Sequence, residues 1–98
     1  RFTAQASPAR HLQAAEALGA NVAGAAEADA GQILADRITW FMQRLQVPNG
    51  LKAFGYSTSD IPALVEGTLP QHRVTKLSPR PAGPDELAML FEHALTAW

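Results

Sequence analysis

The sequence contains no cysteine and no long apolar run, and its charges nearly cancel. Without cysteine there is neither a disulfide framework nor thiolate chemistry, so burial alone must hold the fold, as in a reducing compartment. The apolar runs are far shorter than the roughly 20 residues of a membrane helix. Eight Lys and Arg residues against nine Asp and Glu argue against a polyanion-binding surface. We therefore expect no nucleic-acid or membrane partner and a cytoplasmic location, with the mitochondrial matrix as the alternative.

The motifs of common catalytic sites are also missing. The three histidines, His11, His72 and His93, lie in different predicted elements without HExxH spacing, so we interpret them as solvated or cap-forming residues. The sequence has no GxSxG nucleophile turn, no GxGxxG and no P-loop. We predict no catalytic, cofactor-binding or metal-ligating residue within this chain.

The length and apolar content suit one small folded unit. With 98 residues and 47% hydrophobic composition, the chain is too apolar to be disordered and too short for a nucleotide-binding fold plus a catalytic domain. It opens with Arg1 and lacks the regions of a signal peptide, and we expect it to be part of something longer. Residues 1–98 are predicted to form a single helical domain or a fragment of one.

Two helices are predicted in the first half of the chain. Ser7 as a cap and Gly19 as a stop indicate a helix over 8–18. A weakly polar, alanine-rich linker follows over 20–27. Apolar residues then recur on one helical face and predict a helix over 29–45. That face consists of Leu34, Ile38, Phe41 and Leu45.

The second half of the chain contains two further helical signals. A cap at Ser59 predicts a helix near 60–69, and a last helix with a broad apolar stripe is expected from Pro84 to Trp98. Only Arg73-Val74-Thr75 has the composition of a strand fragment. The fold class is therefore all-α, a small helical bundle. The apolar stripes of the predicted helices are wide for so short a chain, and we expect some apolar surface to face a missing partner.

The segment from Gly67 to Gly83 is basic within a neutral protein. It carries Arg73, Lys76 and Arg80 and no acid. Two interpretations stay open. The cations could lie near helix C-termini or form exposed pairs, each worth about 0.3–1 kcal/mol. Alternatively, Arg73 and Lys76 could bind the carboxylate of a substrate on a loop whose prolines reduce the ordering entropy.

The order of these motifs resembles the C-terminal helical end of the iron-containing (group III) alcohol dehydrogenases. The resemblance is carried by Leu45-Gln46-Val47-Pro48, Gly50-Leu51, Gly55-Tyr56, Asp60-Ile61-Pro62-Ala63-Leu64, Ser78-Pro79-Arg80 and Asp85-Glu86-Leu87. Within that family the stretches 55–65 and 67–77 are most similar to the hydroxyacid-oxoacid transhydrogenases. The chain departs from the family at Gln46, where glycine is usual, and at Ser78, where asparagine is usual.

The resemblance implies that the chain is part of the C-terminal helical domain of a two-domain oxidoreductase. Its partners would be the missing N-terminal nucleotide-binding domain and the rest of the helical domain, and a homo-oligomer is also compatible with the apolar faces. Fe²⁺ or another divalent metal and NAD(P) would be bound outside this chain, and the substrates would be small hydroxy and oxo acids. The resemblance also implies that Arg73 and Lys76 lie near the substrate and that the isolated segment is inactive. The alternative is an independent helical module that binds other proteins.

Overall fold

A computed structural model describes the backbone of residues 1–98 and every side chain except that of Val74. All regular structure in the described chain is helical, which confirms the all-α prediction. The helices are α1 (Pro8–Ala17), α2 (Ala30–Arg44), α3 (Ile61–Thr68), the single turn α4 (His72–Thr75) and α5 (Pro84–Ala94). Short 3₁₀ helices cover Ala4–Ala6, Glu27–Asp29, Leu51–Phe54 and Thr58–Asp60. None of the described helices is long and apolar enough to cross a membrane.

The chain divides into two compact units, residues 1–47 and residues 48–98. We call them the first unit and the second unit. The first contains α1 and α2, and the second contains α3, α4 and α5. That residues 1–98 form a single domain stays a prediction.

In the first unit, α1 packs against α2, and the residues that are fully buried there are very small. The buried residues are Ala4, Ala15, Ala30 and Gly31. A β-carbon added at Gly31 would lie 2.8 Å from the β-carbon of Ala4. The absence of a side chain at Gly31 therefore allows the segment before α1 to lie directly on the first turn of α2.

The start of α1 differs from the predicted serine cap. Ser7 is the N-cap residue, but its side chain makes no capping hydrogen bond. Instead, the Ser7 carbonyl accepts hydrogen bonds from the backbone N–H of His11, at 3.3 Å, and from the ring Nδ1, at 2.8 Å. In the neutral ring Nδ1 then carries the proton, and Nε2 accepts from the Thr3 hydroxyl at 3.2 Å. His11 therefore makes side-chain hydrogen bonds at the start of α1, but they do not satisfy the free N–H groups of its first turn, so His11 is not a cap.

The end of α1 confirms the glycine stop. Gly19 has φ +83°, and its N–H donates to the Glu16 carbonyl at 2.7 Å, while the N–H of Ala20 donates to the Ala15 carbonyl at 2.9 Å. These two bonds form a Schellman motif, which satisfies carbonyl groups left free at a helix end. The linker predicted over 20–27 is confirmed up to residue 26, where a 3₁₀ turn leads into α2.

Helix α2 ends in the same motif without a glycine. Gln46 adopts φ +55°, its N–H donates to the Gln43 carbonyl at 3.1 Å, and the N–H of Val47 donates to the Met42 carbonyl at 2.9 Å. Gln46 is the residue that stands where the resembled family usually has glycine. The turn is therefore preserved, but a residue with a β-carbon occupies the left-handed region.

The core of the second unit consists of branched aliphatic side chains. Ile61 and Val65 of α3 pack with Leu87 of α5 and with Leu95, which follows α5. Partly buried neighbours of this core are Leu51, Leu69, Ala82, Ala88 and Phe91. Burial of each such aliphatic side chain contributes about 1.5–3 kcal/mol, so this cluster holds α3 against α5.

The cap of α3 lies upstream of the predicted Ser59. The backbone N–H and the hydroxyl of Ser57 both donate to Oδ2 of Asp60, at 2.8 and 2.9 Å. The Ser59 hydroxyl donates in turn to Ser57 Oγ at 2.7 Å. A 3₁₀ turn over Thr58–Asp60 thus precedes the helix, which moves the capping position two residues towards the N-terminus.

Helix α5 ends at Ala94, whereas the sequence predicts helix up to Trp98. After Ala94 the backbone is bound by the segment before α3. The Leu95 carbonyl accepts from the Lys52 N–H at 3.1 Å, and Asn49 Oδ1 accepts from the N–H groups of Ala97, at 2.8 Å, and Trp98, at 3.1 Å. These long-range hydrogen bonds replace the helical pattern over the last four residues.

The prediction of a strand fragment at Arg73-Val74-Thr75 is wrong. The backbone of His72–Thr75 forms one helical turn, α4. The Thr75 N–H donates to the Gln71 carbonyl and the Lys76 N–H to the His72 carbonyl, both at 3.1 Å. In the described chain no strand is present to pair with this segment, so local helical hydrogen bonds satisfy its backbone.

Candidate functional site

The two predicted substrate-binding residues lie on and beside the short helix α4. Arg73 is within α4, and Lys76 directly follows it as the C-cap residue. Both side chains are exposed. Neither makes an ion pair among the described residues, so both cations remain available to an anion.

Lys76 lies at an open groove of about 680 Å³ within the second unit. The groove is lined by Leu69, His72, Thr75, Lys76, Ser78, Pro81, Ala82 and Gly83. Arg73 is outside this lining. The structure therefore brings Lys76 together with His72 at one groove and leaves Arg73 beside it.

The groove combines one fixed charge with hydroxyl groups and an apolar wall. Lys76 supplies an ammonium group, which is a compact donor for a carboxylate. The hydroxyl of Ser78 accepts the backbone N–H of Arg80 at 3.3 Å, which leaves its own proton free to donate. A small organic acid could be held here by its carboxylate, with its carbon chain towards Leu69 and Ala82. That Arg73 and Lys76 bind substrate stays a prediction.

The histidines do not converge. His11 lies in α1 and binds the Ser7 carbonyl, His72 lies at the groove, and His93 is exposed in the last turn of α5. No group of three or more His, Asp or Glu side chains that could hold a metal occurs among the described residues. These residues therefore do not fit the iron that the family resemblance implies, and such a metal would need ligands from elsewhere.

The pKa of one carboxyl group is displaced. The backbone N–H of Ser57 and then its hydroxyl donate to Asp60, and they hold the pKa of this carboxyl below its usual value. Partial desolvation opposes this effect. The lowered pKa belongs to a helix cap, and we assign it a structural role.

A cluster of arginine and aromatic side chains on α2 was not anticipated from the sequence. The Arg37 guanidinium carbon lies 4.3 Å from the ring centroid of Trp40 and 4.9 Å from that of Phe41, and the Arg44 guanidinium carbon lies 4.7 Å from the Trp40 centroid. Arg37 Nε also donates to the Leu18 carbonyl at 2.6 Å, so it binds the end of α1. The sequence signal for this cluster was the spacing of three, four and seven residues among Arg37, Trp40, Phe41 and Arg44, which are distances between neighbours on a helix surface.

Comparison with known proteins gives matches along nearly the whole chain. It is 51% identical over 98 residues, all of this chain and 18% of the relative, to a protein named probable hydroxyacid-oxoacid transhydrogenase, mitochondrial, of Dictyostelium discoideum. It is 57% identical over 94 residues to the mitochondrial hydroxyacid-oxoacid transhydrogenase of Xenopus tropicalis and 55% to that of Homo sapiens. Each of these two matches covers 96% of this chain and 20% of the relative. No family model matches the chain, and no solved structure matches it significantly.

The chain spans about one fifth of the length of the curated relatives that it matches. Identity above one half, sustained from one end of the chain to the other, cannot arise from shared composition or helical periodicity alone. The matched range includes the loops and caps as well as the helices. These 98 residues are therefore a relative of one segment of the hydroxyacid-oxoacid transhydrogenases, and the predicted resemblance to that family is confirmed.

Proposed function

We propose that the chain is a segment of an oxidoreductase that exchanges reducing equivalents between a small hydroxy acid and a small oxo acid. The observation that carries this proposal is the 51–57% identity, over 96–100% of the chain, to proteins named hydroxyacid-oxoacid transhydrogenase. In the proposed reaction the hydroxyl-bearing carbon of one acid loses a hydride and its hydroxyl loses a proton. The oxo group of the other acid gains both.

The substrates and cofactors of this proposal come from the family resemblance. We expect 4-hydroxybutyrate and 2-oxoglutarate as a donor and acceptor pair. NAD(P) and Fe²⁺ or another divalent metal belong to the same expectation. Residues outside 1–98 would hold them, since the described side chains form no metal site. The chain would then be part of the C-terminal helical domain, and its partners would be the rest of that domain and an N-terminal nucleotide-binding domain.

The contribution of this chain to the reaction is proposed to be substrate positioning by Arg73 and Lys76. Their exposure supports this role, and so does the groove beside Lys76. The segment between Gly67 and Gly83 has no carboxylate that would compete for the cations. Lys76, at the groove, is the stronger of the two candidates.

A mitochondrial location is part of the proposal. The relatives are named mitochondrial, which favours the mitochondrial matrix over the cytoplasmic location expected from the composition. Fusion of the full-length protein to a fluorescent reporter tests this point, and a cytoplasmic signal would contradict it.

The function is tested on the full-length protein encoded by the reading frame that contains Arg1. The purified protein is incubated with 2-oxoglutarate and with 4-hydroxybutyrate that carries deuterium on the hydroxyl-bearing carbon. Transfer of deuterium to 2-hydroxyglutarate, followed by mass spectrometry, is the expected result. The 98-residue chain alone serves as the control and is expected to be inactive. No transfer by the full-length protein would contradict the proposal, and a reading frame confined to this segment would favour the independent helical module.

A further inference from the structure

Asn49 and Gly50 form the only Asn-Gly pair in the sequence. In such a pair the backbone nitrogen of glycine attacks the asparagine side chain readily, because glycine has no side chain that shields the nitrogen or restricts the backbone. The other asparagine, Asn21, precedes Val22, whose branched side chain hinders the same attack. Spontaneous deamidation is therefore chemically easiest at Asn49.

Deamidation at this position needs water as its only co-reactant. The Gly50 nitrogen attacks Cγ of Asn49, a new C–N bond closes a succinimide ring, and Nδ2 leaves as ammonia with the proton of the attacking nitrogen. Water then cleaves either C–N bond of the ring. Cleavage at Cγ gives aspartate, whereas cleavage at the backbone carbonyl carbon gives isoaspartate, in which the main chain passes through Cγ and is longer by one carbon atom.

The folded structure ties the Asn49 side chain to the segment that follows α5. Oδ1 accepts hydrogen bonds from the N–H groups of Ala97 and Trp98, and Nδ2 donates to the Trp98 carbonyl. The Gly50 N–H makes no hydrogen bond among the described residues. Ring closure moves Cγ onto the Gly50 nitrogen and carries Oδ1 and Nδ2 away from their partners, so the reaction first has to break these bonds.

The products of the reaction do not fit this arrangement. Both replace the Nδ2 donor by a carboxylate oxygen that faces the Trp98 carbonyl. Isoaspartate also lengthens the main chain directly before Gly50, where an added β-carbon would lie 2.5 Å from the Leu95 carbonyl oxygen. Leu95 is a core residue, 5% exposed, and its carbonyl accepts from the Lys52 N–H. A longer main chain at residue 49 therefore disturbs the contacts that hold residues 95–98.

We propose that Asn49 is a site of spontaneous deamidation that is gated by residues 95–98, and that its conversion to isoaspartate keeps this segment released. While the segment is bound, the three hydrogen bonds slow the reaction. Each local opening frees the Asn49 side chain, and an opening that ends in isoaspartate is not reversed by rebinding. The site is a one-way switch within the second unit, and it is independent of the proposed function.

The gate is tested by the rate of deamidation in the full-length protein, measured by peptide mass spectrometry during incubation in mildly alkaline buffer. Asn21 serves as the internal reference. We expect Asn49 to react at least about tenfold more slowly in the folded protein than in a synthetic peptide of residues 46–54. Equal rates in the protein and the peptide would overturn the gate, and an Asn49 that reacts no faster than Asn21 in denaturant would overturn the site.

Leu95→Ala removes the side chain that anchors the gating segment in the core, and it should speed deamidation of Asn49 at least about threefold. Leu87→Ala is the matched control, because it removes the same atoms from the same core at a position within α5. Its effect should be smaller. Equal acceleration by the two variants would overturn gating by residues 95–98, since global unfolding would then be the route.

Hydrogen exchange repeats the test of the gate without a mutation. If opening of residues 95–98 controls the reaction, the ratio of the deamidation rates in peptide and protein should match the protection of the Ala97 and Trp98 N–H groups to within about threefold. A ratio far from this protection would overturn the gate.

The release is measured on aged full-length protein, from which the isoaspartate form is separated by chromatography. Hydrogen exchange in peptides covering residues 95–98 should be at least about tenfold faster in this form than in the unmodified protein. Asn49→Asp is the control, since it adds the charge without the extra main-chain carbon, and it should have a smaller effect. Unchanged exchange in the isoaspartate form would overturn the switch, and an equal effect of Asn49→Asp would overturn the role of the lengthened main chain.

Discussion

Gly50 lies against the carbonyl group of Leu95, and a β-carbon at this position would be 2.5 Å from the carbonyl oxygen. The same added atom would be 2.7 Å from the oxygen of Ala94. Gly50 also has φ +70°, a conformation that residues with side chains rarely adopt. This close approach allows Asn49 and Lys52 to reach the backbone that follows α5.

Gly50→Ala is expected to lower the free energy of unfolding by at least about 2 kcal/mol. The backbone conformation alone, φ +70° with ψ −174°, is adopted essentially only by glycine and costs roughly 1–3 kcal/mol for a residue with a β-carbon, and the overlap with two carbonyl oxygens adds to this. Gly67→Ala is the control, because a β-carbon there meets nothing within 4 Å, and alanine in α3 should stabilise by up to about 1 kcal/mol. Urea unfolding followed by circular dichroism at 222 nm measures both. Equal effects would mean that the contact between Gly50 and Leu95 does not form.

Gln46→Gly is expected to stabilise the first unit by about 0.5–1 kcal/mol. Gln46 occupies the left-handed position of the motif that ends α2, where glycine avoids the steric cost of a β-carbon. Gln43→Gly, within α2, should have the opposite sign and destabilise by about 1 kcal/mol. Thermal unfolding of the two variants next to the unsubstituted chain distinguishes them. Destabilisation by both would show that the left-handed turn at Gln46 is not formed in solution.

The stability of the second unit is expected to fall as the pH decreases through the range in which Asp60 is protonated. The hydrogen bonds from Ser57 lower the pKa of Asp60 in the folded protein. The stabilisation is therefore complete above the pKa of the unfolded chain, and it is lost as the pH falls through the lower folded pKa. Asp60→Asn should reduce this part of the pH dependence. The midpoint of thermal unfolding, measured from pH 7 to pH 2 for both proteins, provides the comparison, and unchanged slopes would argue against the cap.

Lys76→Ala in the full-length enzyme is expected to raise KM for acidic substrates by roughly tenfold or more. A hydrogen bond to a charged group contributes about 1.5–3 kcal/mol, and its loss appears in KM when ground state and transition state are bound equally. Lys52→Ala is the control, since Lys52 is an exposed cation on another segment of the second unit. Neutral alcohols should be affected far less by the change at Lys76. Equal increases in KM for acidic and neutral substrates would show that Lys76 has a purely structural role.

The helices that the sequence predicts best are those with local signals at both ends. Gly19 ends α1, and the periodicity of α2 gives its position to within one residue at each end, because these signals depend on neighbours three or four residues away. The end of α5 could not be found in this way. Asn49 and Lys52 compete for the backbone after Ala94, and they are more than 40 residues distant in sequence.

The candidate site, like the helices, could be predicted from the sequence only in part. The basic character of residues 67–83 can be read from composition, which points to Arg73 and Lys76 equally. The groove cannot be predicted from composition, since Leu69 and Gly83 approach Lys76 only when α4 and the start of α5 are folded. The role of Arg37 was missed because its partner, the Leu18 carbonyl, is a backbone group with no sequence signal.

The two cores of the protein differ in side-chain size, and this difference sets which mutations each unit tolerates. Among its described residues the first unit fully buries only alanine and glycine, so at these positions enlargement, as at Ala15 or Ala30, is the damaging change. The second unit buries Ile61, Val65, Leu87 and Leu95, where truncation opens a cavity and costs about 2–5 kcal/mol for Leu or Ile to Ala. At the fully buried positions, harmful substitutions should therefore be those that add atoms in the first unit and those that remove atoms in the second.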